Sequence, residues 1–241
     1  MNLKDIENKY YDLYNKINGL KSNSINSEFT IGAALISRIM EDTQAIIILL
    51  RKQCLKAPIY SILRNMLEAI IDLDNLFNAD GYSDYLICLD LYKNRIKLFE
   101  KKEFKNLIKD KEDFSKLKLN YEDYKSNFKI LKNKLITKYK EKYFEKYKEK
   151  YKVKYKIKNS ILFKFDLCDN SNLYHSIYFI LCNESHNSLT SLEHNYIINN
   201  DKSIEICVFN DLNQEELEGI CETIDIILNS LTEKIKLIKK L

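Results

Sequence analysis

A chain of 241 residues, 45% of them hydrophobic, can bury a sizeable core as one large helical domain or two small ones. One proline and four glycines are too few to punctuate a protein of many short strands and tight turns, so long uninterrupted helices are expected. The net charge of +4 hides an uneven spread: Lys93 to Lys158 holds 24 Lys or Arg against 10 Asp or Glu, and the remainder holds 15 against 25. A basic segment set into an acidic body favours either a polyanionic partner or self-association. Lysine and tyrosine are abundant and tryptophan is absent, a bias that AT-rich coding produces by itself, so raw counts of these residues carry little weight.

The start, MNLKDIENKY, lacks the basic and then apolar pattern of a signal peptide. The longest apolar run, Ala45 to Leu50, is too short for a bilayer, so no membrane association is expected. Six scattered cysteines without CxxC spacing read as reduced core residues, which fits a cytoplasmic protein.

In chain order, Ile6, Tyr10, Leu13, Tyr14 and Ile17 recur at four and three, predicting an amphipathic helix over Leu3 to Leu20. A polar link, Lys21 to Ser27, leads to a second helix over Glu28 to Lys56, with Ile31, Leu35, Ile39, Ile46, Leu49 and Leu50 expected on its buried side. Pro58 suits the first turn of a third helix, where its missing N–H costs nothing. That helix, PIYSILRNMLEAIIDLDNLFN, is apolar around most of its circumference and therefore central to its domain. It nevertheless carries Arg64, Glu68 and Asp72 four residues apart, stacked on one face. Charges in such a place must be paired or hydrated, and Arg64 with Glu68 forms an ion pair at that spacing without any chemistry.

Asp80-Gly81 ends the third helix, and a fourth is predicted from Tyr82 through Phe99. Lys101 to Lys125 has weak periodicity and reads as irregular or short helices. Five units follow, KYKE, KYFE, KYKE, KYKV and KYKI, starting at Lys138, Lys142, Lys146, Lys150 and Lys154. Their tyrosines form a stripe that drifts about 40° per unit, predicting a long projecting helix over Asn127 to Ile157, although YKVKYKIK also alternates as a strand does. Asn170 to Ile198 resumes as one or two helices with Leu173, Ile177, Ile180, Leu181, Leu189 and Leu192 apolar. Ser203 to Phe209 is β-prone, and Asn210-Asp211 offers an N-cap for a last helix with Leu217 to Ile238 apolar at three and four. The expected architecture is an all-α helical bundle, residues 1–100 with 159–241, interrupted by a basic arm over 101–158 and holding at most one short β segment near 203–209.

Among three histidines, His186 is the candidate acid or base, because Tyr178, Cys182 and Ser185 fall near its helical face beside Asn183 and Asn187. The plainer reading is a histidine that hydrogen-bonds within the bundle. The Glu-x-x-His pairs of di-iron bundles, zinc motifs, a Walker loop, a Rossmann glycine fingerprint and a serine-hydrolase elbow are all missing, so no metal site and no cofactor are expected.

PIYSILRNMLEAIIDL followed much later by YHSIYFILCNESHNSL resembles the uncharacterised bacterial helical family catalogued as domain of unknown function 5677 (DUF5677), over roughly residues 30 to 200. That resemblance implies that Arg64, Glu68, Tyr178, Ser185 and His186 are shared polar positions converging inside the bundle. It brings no established activity. Size and helical character are similar to those of the HEPN-like ribonucleases of toxin and phage-defence systems, an analogy of fold only. Those enzymes carry an Arg four to six residues before a His on one helix, and here no Arg precedes a His at that distance. If RNA is cut, Arg64 must arrive from another helix.

The leading expectation is therefore a defence or toxin-type effector acting on RNA, with Arg64 contacting phosphate, Glu68 orienting it and His186 as acid or base. Asp72, Tyr178, Asn183, Ser185 and Asn187 are then expected to line the binding site. In the arm, Lys146 and Lys150 can contact phosphates while Tyr143 and Tyr147 stack on unpaired bases. Interleaved Glu141, Glu145 and Glu149 equally suit a solvated helix packing its tyrosines on a second protomer. The rival expectation is a non-catalytic homodimeric sensor or scaffold.

Overall fold

The computed structural model describes residues 2–21, 27–52, 56–79, 81–87, 93–101, 121–134, 161–185, 196–206 and 212–238. The chain divides into two compact units, Met1–Asn78 with Ile161–Leu241, and Ala79–Ser160. The inserted unit thus takes in residues 79–100, which the periodicity assigns to the bundle.

The first unit is a helical bundle built from α1 (Leu3–Ile17), α2 (Ser27–Arg51), α3 (Lys56–Asn78), α7 (Ile161–Leu167), α8 (Ser171–Leu173), a π-helical turn (Tyr174–Tyr178), α9 (Phe179–Ser185) and α10 (Gln214–Ile238). Its hub is α3, which packs on α2, α7, α9 and α10 and buries Ile59, Leu63, Met66, Leu67, Ile70, Ile71, Leu73 and Leu76. A helix apolar nearly all round has only this solution in water. On α1 the buried residues are Ile6, Tyr10 and Leu13, at the predicted spacing. On α10 they run from Ile220 to Ile238.

The buried side of α2 is rotated from the predicted one. Ile36, Ile39, Met40, Ile46, Ile47 and Leu50 are buried, whereas Ile31, Leu35 and Leu49 are only half-buried. The helix is flanked by α1, α3 and α10 together, so the side it buries follows three neighbours and not one apolar stripe.

Asn2 and Asp5 form a capping box at the start of α1, and Asn213 with Glu216 does the same for α10, donating and accepting at 3.1 and 2.8 Å. The cap of α10 is therefore Asn213, not Asn210-Asp211, because the side chain must sit three residues before the N–H it accepts from. Ion pairs Lys9–Asp225, Lys56–Glu216, Lys234–Asp74 and Arg51–Glu7 tie the helices of the bundle to one another.

The tract over Asn170 to Ile198 departs from its helical expectation twice. A π-helical turn interrupts it, and α9 as described ends at Ser185. Tyr196–Ile198 is instead a strand, β1, paired antiparallel with β2 (Ile204–Ile206) so that Tyr196 faces Ile206. The β-prone run near 203–209 thus supplies one of two short strands, since a strand needs a partner for its backbone groups. Among the described residues these are the only strands, and the fold remains all-α in class.

In the inserted unit, Gly81 takes a left-handed conformation (φ 76°) ahead of α4 (Tyr82–Leu86). Of the predicted helix from Tyr82 through Phe99, α4 and α5 (Lys93–Glu100) are described, and residues 88–92 between them lie outside the described residues. A further helix, α6, spans residues 121–134, and its first residues, 121–125, are helical within the tract read as irregular or short helices. The high charge of that stretch does not oppose a helix, because Glu122 and Asp123 occupy the first turn. The Lys/Tyr units from Lys138 lie outside the described residues. No described helix is long and apolar enough to cross a membrane.

Candidate functional site

Four polar residues of α3 recur at three and four, Arg64, Glu68, Asp72 and Asn75, and all four find partners or near neighbours along one seam of the bundle. At the more open end the Arg64 Nε lies 3.7 Å from Glu68 Oε1, a charge contact longer than a hydrogen bond. Glu68 Oε1 accepts a 2.8 Å hydrogen bond from the Tyr178 hydroxyl, 110 residues away in sequence. The side chains of Arg64 and Glu68 are 23% and 35% exposed, so both reach solvent, while Tyr178 is buried.

Tyr178 reaches Glu68 because of the π-helical turn in which it is the last residue. A π turn inserts one extra residue per turn and re-aims the side chains beyond it, and such turns frequently mark functional positions. Here Tyr178 and Leu181 face inward while Phe179 and Ile180 face solvent. Ile180, one of the apolar positions read in this tract, lies just beyond the π turn and faces outward. Phe165, Tyr174 and Tyr178 pack as an aromatic cluster, with ring centroids 5.2 to 5.6 Å apart. Burial, then the hydrogen bond to Glu68 and the nearby Cys182 thiol, push the Tyr178 phenol far above its ordinary value. Tyr178 therefore stays protonated and acts as a donor, never as a base.

At the closed end, Asp72 accepts a 2.8 Å charge-assisted bond from Lys164 Nζ, and each residue is only 8% exposed. The Lys164 backbone carbonyl in turn accepts from Asn75 Nδ2 at 2.7 Å. Asp72, expected to line a ligand site, is ion-paired with a lysine of α7. Lys164 and Asn75 were not singled out in the sequence. The signal available was that a buried carboxylate requires a cation, but nothing in ILFKFDL marks Lys164 as its partner.

Asn183 is half-buried on α9. The backbone of Ser185 ends α9, and its side chain lies outside the described residues, as do His186, Asn187, Tyr143, Tyr147, Lys146 and Lys150. The structure brings together Arg64, Glu68 and Tyr178. It brings Asp72 to Lys164. Chemically, the open end offers a guanidinium held beside a carboxylate whose remaining geometry is fixed by a permanent phenol donor, an arrangement able to receive an anion.

The model of a family of unknown function (DUF5677) matches residues 29–204, well over half of the chain. No curated protein and no solved structure matches the chain significantly.

Proposed function

The chain belongs to the DUF5677 family of unknown function, and we propose that it is an effector that cleaves RNA at the open end of the α3 seam. The observation that supports this reading is the Arg64–Glu68–Tyr178 constellation: a part-exposed guanidinium oriented by a carboxylate, which a buried phenol holds at 2.8 Å. In this role Arg64 contacts the scissile phosphate and stabilises the charge that develops on it. Glu68 and Tyr178 are positioning residues acting through Arg64. His186, directly after the last described residue of α9, takes the proton of the attacking 2′-hydroxyl, whose oxygen bonds to phosphorus to give a 2′,3′-cyclic phosphate as the bond to the 5′-oxygen breaks and that oxygen takes a proton from water. The reading needs no metal. It places the protein in the functional class of toxin and antiviral-defence ribonucleases.

Purified protein incubated with total RNA tests it beside His186→Ala and Arg64→Ala. Fragmentation by the native protein and intact RNA with both variants is the expected outcome. Intact RNA in every tube, or equal fragmentation in every tube, overturns it.

One observation favours a second reading, a non-catalytic homodimeric module. Phe179 and Ile180 are neighbours on α9 and are 56% and 58% exposed, an apolar pair that a second copy can cover. Sedimentation of the native protein and of Ile180→Asp tests this. A dimer that Ile180→Asp dissociates supports it, and a native monomer removes it.

A further inference from the structure

The described helices of the inserted unit carry their lysines in rows. On α5, Lys93 and Lys97 are four apart and Lys101 continues the spacing just beyond the helix end; on α6, Lys125, Lys129 and Lys132 recur at four and three. These intervals put each set along one side of its helix, over about 12 Å and about 10 Å. Lys97, Lys101, Lys125, Lys129 and Lys132 are exposed. The two helices meet through their aromatic sides, Phe99 lying 5.5 Å from the Tyr121 ring and 6.4 Å from Tyr124. Their lysines are thereby left facing water.

The described acidic residues of this region, Asp84, Glu100, Glu122 and Asp123, have identifiable places. Asp84 pairs with Lys134 at 2.8 Å, Glu100 accepts from the Tyr121 hydroxyl at 3.1 Å, and Glu122 and Asp123 sit in the first turn of α6, where a helix favours negative charge. The Lys125 ammonium is held protonated chiefly by Tyr121, with smaller contributions from Glu122 and Glu100, and Glu100 lies one turn from Lys97 on its own helix. Lys125 Nζ stands 4.7 Å from the Tyr121 ring centre and Lys132 Nζ 5.7 Å from that of Phe128, contacts that order the long stems and occupy those ring faces.

We propose that the lysine rows of α5 and α6 form a sequence-independent binding surface for the phosphate backbone of RNA. The identity of the polyanion rests on the RNA reading above, and the surface itself rests on the rows. Rows about 10 Å long or more suit an extended chain of phosphates better than a single compact anion. A lipid surface suits them less, because an interfacial helix must offer a continuous apolar face, and here Phe99 packs on Tyr121 and Tyr124 and only Leu98 and Ile130 are exposed among the described large apolar residues of the two helices.

The test is binding of full-length protein to single-stranded and duplex RNA of random sequence, measured by fluorescence anisotropy across a potassium chloride series. The logarithm of the affinity should fall linearly with the logarithm of salt. A triple variant, Lys125→Gln with Lys129→Gln and Lys132→Gln, should bind at least tenfold more weakly at low salt, with a slope shallower by about 2, near 0.7 for each single-strand phosphate that a lysine no longer neutralises. A control triple in the bundle unit, Lys4→Gln with Lys16→Gln and Lys236→Gln, should keep the native slope. No RNA binding by the native protein, an unchanged slope in the α6 triple, an equal loss in both triples, or binding to anionic phospholipid vesicles in place of RNA each overturns the proposal. Binding without cleavage rejects the catalytic reading alone. Cleavage that His186→Ala abolishes, with a salt slope indifferent to the α6 triple, rejects this surface alone.

Discussion

Asp72 and Lys164 show how a charged residue in an apolar helix is accommodated. A buried pair gains little over well-packed apolar residues, yet removing one member leaves the other desolvated and alone. Asp72→Ala should therefore cost about 3–5 kcal/mol, whereas Asp72→Leu combined with Lys164→Met should be nearly neutral, both read from urea unfolding. Tyr178 makes a prediction in pH. Its phenol is raised in the folded state, so the contribution is whole below the ordinary tyrosine value of about 10 and is lost as pH climbs toward the folded value. The native protein should lose stability above about pH 10 more steeply than Tyr178→Phe, in unfolding curves at stepped alkaline pH. The spacing of Arg64, Glu68 and Asp72 was legible in the sequence because it lies within one helix. Lys164, 92 residues from Asp72, was not, since helical periodicity carries no information over such distances, and Tyr178, 110 residues from Glu68, was reached through the family resemblance and not through periodicity.

Among the elements, α2, α3 and α10 meet around Gly32, which is buried. A methyl group there meets Ile238 Cδ1 at 2.7 Å and Leu76 Cδ2 at 3.3 Å. Alanine gains about 1 kcal/mol in helix propensity, and overpacking costs about 1–3 kcal/mol. Gly32→Ala alone should be neutral to about 2 kcal/mol destabilising, while in an Ile238→Val background the same change should stabilise by up to about 1 kcal/mol, because the closest methyl is gone. Thermal unfolding of the four proteins gives the coupling. The central place of α3 was readable from its apolar circumference, and the match to DUF5677 over residues 29–204 bears out the resemblance read from its PIYSILRNMLEAIIDL motif. The π turn was not readable. It adds one residue to a turn without any change of composition, yet it decides that Tyr178 faces inward and Ile180 outward. The hairpin was half readable, because β2 has β-branched residues whereas β1 lies in a tract whose spacing also suits a helix.

For the whole molecule, the contrast between a basic inserted stretch and an acidic remainder was visible in the charge count. The division after Asn78 was not, because α4 continues the apolar character of the bundle. This interruption bears on synthesis. The bundle keeps α1 to α3 on one side of an 82-residue insertion and its remaining helices on the other. At about 5–20 residues per second, a ribosome needs roughly 4–16 s to traverse the insertion before Ile161 is made. From the moment α3 clears the ribosome until α7, α9 and α10 follow, the apolar surface they later cover is open to chaperones and proteases. Nascent chains arrested before Ile161 should be cut within α3 by added protease, and chains arrested after Ile238 with a spacer long enough to clear the ribosome should resist.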